Sequence, residues 1–152
     1  MIVEVTGVSS AGKSTALAAL GAPLLQERLP GGLSRLPGRV ARLALFPLAA
    51  GGYVARPGSI LPTSRTLWWA FRHSVIVERR NRWNGLLNAW QHLGLLHLAR
   101  LLDRDDDELM LDTGPLHTVY NFFVDPAVPP DLDAVAAYLD RIPLADRIVQ
   151  VT

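Results

Sequence analysis

The residues Gly7-Val8-Ser9-Ser10-Ala11-Gly12-Lys13-Ser14 fit G-x-x-x-x-G-K-[ST], the pattern of a phosphate-binding loop. The spacing has a physical reason. Gly7 leaves an extended segment and opens a sharp turn, reaching backbone angles that a Cβ would forbid. The N–H groups of Ser9, Ser10, Ala11 and Gly12 then point into one concavity that holds a phosphate chain. Gly12 lets the backbone pass close to the phosphates. Lys13 reaches the β- and γ-phosphates, and the Ser14 hydroxyl is a magnesium ligand. A helix from Ser14 to Leu20, with Thr15 in its first turn, turns the positive end of its dipole toward the anion.

The flanking residues supply the context this loop requires. Ile2-Val3-Glu4-Val5-Thr6 alternates and is β-branched, so it reads as a strand. Thr15-Ala16-Leu17-Ala18-Ala19-Leu20 consists of good helix formers. Among 15 basic residues, Lys13 is the sole lysine. A compact ammonium fits against phosphate oxygens where a planar guanidinium sits differently.

With 152 residues, 49% hydrophobic and 19% charged, the chain reads as one domain with a substantial core. A net charge of +1, with arginines scattered rather than clustered, argues against nucleic acid as a partner. Without cysteines there is no disulfide framework and no cysteine metal site. The longest stretch free of formal charge, Trp83 to Ala99, contains Asn84, Asn88, Gln91, His92 and His97. It is too short and too polar for a membrane span, and a cytoplasmic chain with no membrane partner is expected.

From Leu24 to Pro62 the chain is rich in Gly, Pro and Arg. Arg39 to Ala50 reads as a short helix and Tyr53-Val54-Ala55 as a short strand. Thr63-Ser64 reads as the N-cap of a helix from Arg65 to about Arg82. A second helix runs from Trp83 to Leu102, where Gly85 and Gly94 weaken it or permit a close helix contact. Trp68, Trp69, Phe71, Trp83 and Trp90 read mainly as core. His92 and His97, five apart, do not share a helix face, which argues against a metal site there. Asp103 to Asp107 reads as a solvated acidic loop.

Glu108-Leu109-Met110-Leu111-Asp112 is a short apolar strand ending in a carboxylate. Strands of a parallel sheet covered on both faces read as apolar runs, and ligands bind at their carboxyl ends. Asp112 is therefore the expected magnesium carboxylate, opposite Lys13. Leu116 to Phe123 follows as a helix. Asp131-Leu132-Asp133 opens another, ending near Arg141, and Asp146 to Thr152 reads as a last strand.

The loop, the strand ending in Asp112-Thr113-Gly114, the helix after it and the strand Ala145-Asp146-Arg147-Ile148-Val149 together resemble the P-loop nucleoside and nucleotide kinase superfamily. Thymidylate-kinase-like and other bacterial members are the ones it is most like. The resemblance covers residues 1–20 and 106–152. It implies the three-layer α/β fold of P-loop NTPases, a parallel sheet flanked by helices. ATP and Mg²⁺ are the implied cofactors. Lys13 and Asp112 are the implied catalytic residues. Gly7, Ser9, Ser10, Ala11, Gly12, Lys13, Ser14 and Thr15 form the implied nucleotide site, with Ser14 and Asp112 as metal ligands. Thr113 departs from the family, which carries Glu or Arg at that position. In relatives an arginine-rich lid, a further strand and a last helix follow the strand at Arg147. The chain therefore reads as C-terminally truncated, with an open sheet edge.

The function this implies is Mg²⁺-dependent transfer of the ATP γ-phosphate to a small molecule, a nucleoside, a nucleotide or a similar acceptor. The alternative is a nucleotide-binding module or ATPase without kinase turnover. The expected partners are the nucleotide and the acceptor, and a homodimer is a candidate assembly. The acceptor is expected against the helices from Arg65 to Leu102. Arg72 and Arg79 would meet a phosphate or carboxylate on it, Trp68 or Phe71 would stack on a base, and Glu78 or Asp112 would accept a hydroxyl proton. A regulatory GTPase is excluded by its Asn-Lys-x-Asp motif, since the only lysine is Lys13.

Overall fold

All six residues of the first strand, β1 (Ile2–Gly7), are buried. The computed structural model describes residues 1–7, 12–21, 23–25, 60–102 and 108–151. In it β1 lies between β2 (Leu109–Leu111) and β3 (Arg147–Val151), in the order β2-β1-β3, and both pairings are parallel. Glu4 is in register with Leu111 on one side and Ile148 on the other.

Parallel pairing needs crossovers, and here they are helical. The chain passes from β1 through α1 (Lys13–Leu20), α2 (Ile60–His73) and α3 (Arg79–Leu102) to β2. It then passes through α4 (Thr118–Phe123) and α5 (Leu132–Leu139) to β3, on the opposite side of β1. The result is a mixed α/β fold with a small parallel sheet flanked by helices.

Strand alternation decides which residues meet which helix. Ile2, Leu109 and Leu111 pack with Leu96 and Ala99 of α3. Val3, Val5 and Met110 pack with Leu17 of α1. A second core lies within the helical layer, where Leu67, Ala70, Ala89, Leu93, Phe122, Phe123, Tyr138 and Ile142 are buried together. Each large apolar side chain buried there contributes about 1.5–3 kcal/mol.

Caps account for three of the helix ends. Gly12 (φ 80°) and Gly21 (φ 67°) bracket α1 in left-handed conformations that suit glycine. Asp131 caps α5 by accepting from the Ala134 N–H at 3.0 Å.

The region expected to form a helix from Arg65 to Arg82 differs. It starts at Ile60, so Thr63 lies inside α2, buried, rather than capping it. It also stops at His73, because the next residues are bonded elsewhere. The Ser74 hydroxyl and the Val75 N–H both donate to the Phe122 carbonyl at 2.9 Å, and Ser74 Oγ accepts from the Ile76 N–H at 3.2 Å. These bonds divert the backbone from its helical ladder. Arg72 and Arg79 consequently belong to different helices, and their seven-residue spacing does not place them on one face.

The tryptophans divide. Trp69 and Trp90 pack against the helical core, whereas Trp68 and Trp83 are 53% and 44% exposed. Phe71 connects the two exposed rings, stacking on Trp68 at 5.5 Å and tilting against Trp83 at 5.0 Å. On the outer side of β2, Leu24 forms a parallel bridge to Met110. Among the described residues, β3 pairs with β1 alone. No helix among them is long and apolar enough to cross a membrane. The expected helix at Arg39–Ala50, the strand at Tyr53–Ala55 and the loop Asp103–Asp107 lie outside the described residues.

Candidate functional site

The carboxyl ends of β1 and β2 open toward one edge of the sheet. The crossover from β1 leads to β2 on one side of it, and the crossover from β2 leads past β1 to β3 on the other. In open α/β sheets ligands bind outside the carboxyl ends of the strands. Gly7 is the last residue of β1. A Cβ there would lie 2.5 Å from the Val151 carbonyl oxygen, so glycine is what lets β3 approach. Gly12 enters α1, and a Cβ on it would meet nothing within 4 Å. Its requirement is therefore conformational. Its carbonyl accepts the first helical bond, from the Ala16 N–H at 3.0 Å. Lys13, Ser14 and Thr15 form the first turn of α1, where N–H groups lack intrahelical acceptors. Ser9, Ser10 and Ala11 lie outside the described residues.

Asp112 follows β2 directly and is half-buried. Asp112 and Lys13 both bear on a third residue. The His117 imidazole is pushed below its ordinary pKa, first by burial and then by the Lys13 charge, while Asp112 pulls it back up. His117 ends the 3₁₀ turn Pro115–His117 that leads into α4. Its ring lies 5.8 Å from that of His92 and 5.6 Å from that of Tyr120. The helical spacing of His92 and His97 gave no hint of this pairing across elements.

Glu4 is the second residue missed in the sequence. It is fully buried. Its carboxylate accepts from the N–H groups of Gly114 at 3.0 Å, Leu116 at 3.3 Å and His117 at 3.3 Å. Burial pushes its pKa above the ordinary carboxylate value, and the three N–H bonds oppose the shift. A Cβ on Gly114 would fall 2.4 Å from Glu4 Oε2, so the contact needs a glycine opposite. Glu4 thus fastens the turn that carries Asp112 at one end and His117 at the other. The available signal was a lone carboxylate inside an otherwise apolar strand next to the loop.

A cation at a helix start and a carboxylate at the end of the neighbouring strand suit a polyanion bound together with a hard divalent cation. Among the described residues no three His, Asp or Glu side chains gather into a metal-binding group. A cation there would draw its other ligands from phosphate oxygens and water, as Mg²⁺ ordinarily does. No family model matches the chain, and neither a curated protein nor a solved structure matches it.

Proposed function

We propose that the chain is a P-loop NTPase-type domain that binds Mg-ATP and transfers the γ-phosphate to a hydroxyl of a small molecule. One observation carries the reading. Lys13 at the start of α1, after β1, and Asp112 directly after β2 follow the carboxyl ends of two adjacent parallel strands, which is where ligands bind in open α/β sheets. The G-x-x-x-x-G-K-S pattern supports it independently.

In this reading the backbone from Gly7 to Thr15 cradles the phosphates, and Lys13 neutralises charge on the β- and γ-phosphates. Asp112 and Ser14 hold Mg²⁺, which when bound offsets charge on the phosphate oxygens. Glu4 keeps the Asp112–His117 turn in place. The acceptor hydroxyl oxygen forms the new bond to phosphorus. The bond from phosphorus to the β–γ bridging oxygen breaks, and ADP departs with that electron pair. The hydroxyl proton passes to a base at the site, for which the chain offers Asp112, Glu78 and His117. Phosphoryl transfer depends mainly on positioning and charge stabilisation, so the demand on this base is small.

The test is ADP release by the purified chain in Mg-ATP, with and without a panel of hydroxyl-bearing small molecules. The kinase reading predicts that a member of the panel stimulates ADP release at least about tenfold, an effect of roughly 1.4 kcal/mol on the barrier. Saturable ATP binding with no stimulation by any of them would favour the second reading, a nucleotide-binding module.

A further inference from the structure

A cleft of about 260 Å³ opens between the first half of α3 and α4. Its size lies just under the range of roughly 300–1,000 Å³ usual for small-molecule pockets, so it suits a compact ligand. Asn81, Asn84 and Asn88 line it from α3, and Tyr120 and Asn121 from α4. The α3 residues recur at helical spacing and form one polar stripe. Asparagine is a poor helix former, so three in one stripe work against helix formation. Gly85 lies between them in the lining. A Cβ there would come within 2.8 Å of the Asn121 carbonyl oxygen, so glycine lets the two helices meet at the floor.

Among the described residues the lining contains no charged side chain. It is therefore poorly suited to a phosphate or carboxylate. Each amide offers two donors and an acceptor oxygen. Asn81 spends one donor on Glu78 Oε2, at 2.7 Å. Asn121 Nδ2 is buried with no hydrogen-bond partner. Amide donors and acceptors thus both line a small space. The neutral group that satisfies both is the hydroxyl, which rotates its proton to suit either neighbour. A nucleobase edge has a fixed pattern of donors and acceptors and meets fewer of these groups. Contacts also lead from the cleft toward the phosphate side. Tyr120 lines the cleft and its ring lies 5.6 Å from that of His117, which ends the turn that follows Asp112.

We propose that this cleft is the acceptor site, and that it takes a small uncharged polyol of monosaccharide size. The proposal rests on the kinase reading for the word acceptor, while the binding claim stands apart from it. Calorimetric titration of D-glucose, D-ribose and myo-inositol, with adenosine and glucose 6-phosphate for comparison, tests it. Asn84→Ala and Asn88→Ala are the variants, since both positions are exposed and alanine favours the helix. Thermal unfolding and Mg-ATP titration run on each protein in parallel. The expected result is saturable binding of a neutral polyol at about 1 mM or tighter. Each variant should weaken it roughly 3–10-fold, with the unfolding midpoint retained. Polyol binding without Mg-ATP binding would leave the cleft assigned and remove the kinase reading. Failure of all three polyols, preference for adenosine or glucose 6-phosphate, or unchanged affinity in both variants would overturn the cleft assignment, whatever ATP does.

Discussion

At the scale of single residues, the buried carboxylate of Glu4 carries the most consequence. Three backbone N–H groups hold it, and no cationic side chain pairs with it among the described residues. Because its folded-state pKa is raised, the folded chain holds this proton more tightly than the unfolded chain. Its contribution to stability is fully present below the ordinary value of 4.5 and is lost as pH rises through the raised folded value. His117 acts with the opposite sign. Its lowered pKa gives stability that is lost as pH falls through the folded value. Glu4→Gln removes the first effect and keeps the second. Thermal unfolding from about pH 4 to about pH 8 should therefore decline less steeply with rising pH in the variant than in the wild type. Parallel profiles would show that Glu4 does not titrate in a distinct folded environment. The sequence could not reveal this residue's role, because its partners lie 110 to 113 positions away. Lys13 and Asp112 could be proposed from the sequence because each rests on a local pattern, one a loop and the other a strand end.

At the scale of elements, the helices were readable where periodicity or capping fixed them. The Gly stop of α1 and the Asp131 cap of α5 follow from residue types within a turn of the helix end. The break between α2 and α3 was not readable, because it depends on bonds from Ser74 and Val75 to Phe122 in a distant element. Gly85 had two sequence readings, a weak point in the helix or a close contact, and the structure selects the contact. Two effects compete on substitution there. Gly85→Ala gains up to about 1 kcal/mol of helix propensity. It also places a methyl 2.8 Å from the Asn121 backbone oxygen, which cannot swing away like a side chain. Overpacking of this kind costs about 1–3 kcal/mol, so the expected net effect is destabilising. The unfolding midpoint should fall by a few degrees, at about 2–4 °C per kcal/mol for a chain of this size. A raised midpoint would mean that α3 and α4 are not in contact at this position.

At the scale of the molecule, apolar runs indicated a parallel sheet, but the sheet order had to come from the fold. Residues in β2 and β3 pair with β1 across more than a hundred positions, and nothing local records which side each takes. That arrangement brings Lys13, Asp112, His117 and the Glu4-anchored turn to one end of the sheet. The amide cleft is a product of the same packing, since α3 and α4 each supply part of it. The most direct test of a Mg-nucleotide site at this end is calorimetric titration of Mg-ATP into the wild-type chain and Lys13→Ala. The account predicts saturable binding by the wild type. A hydrogen bond to a charged group is worth about 1.5–3 kcal/mol, so the variant should bind roughly 10–150-fold more weakly while remaining folded. A folded wild type that shows no saturable binding at about millimolar nucleotide, or a variant that binds equally well, would contradict it.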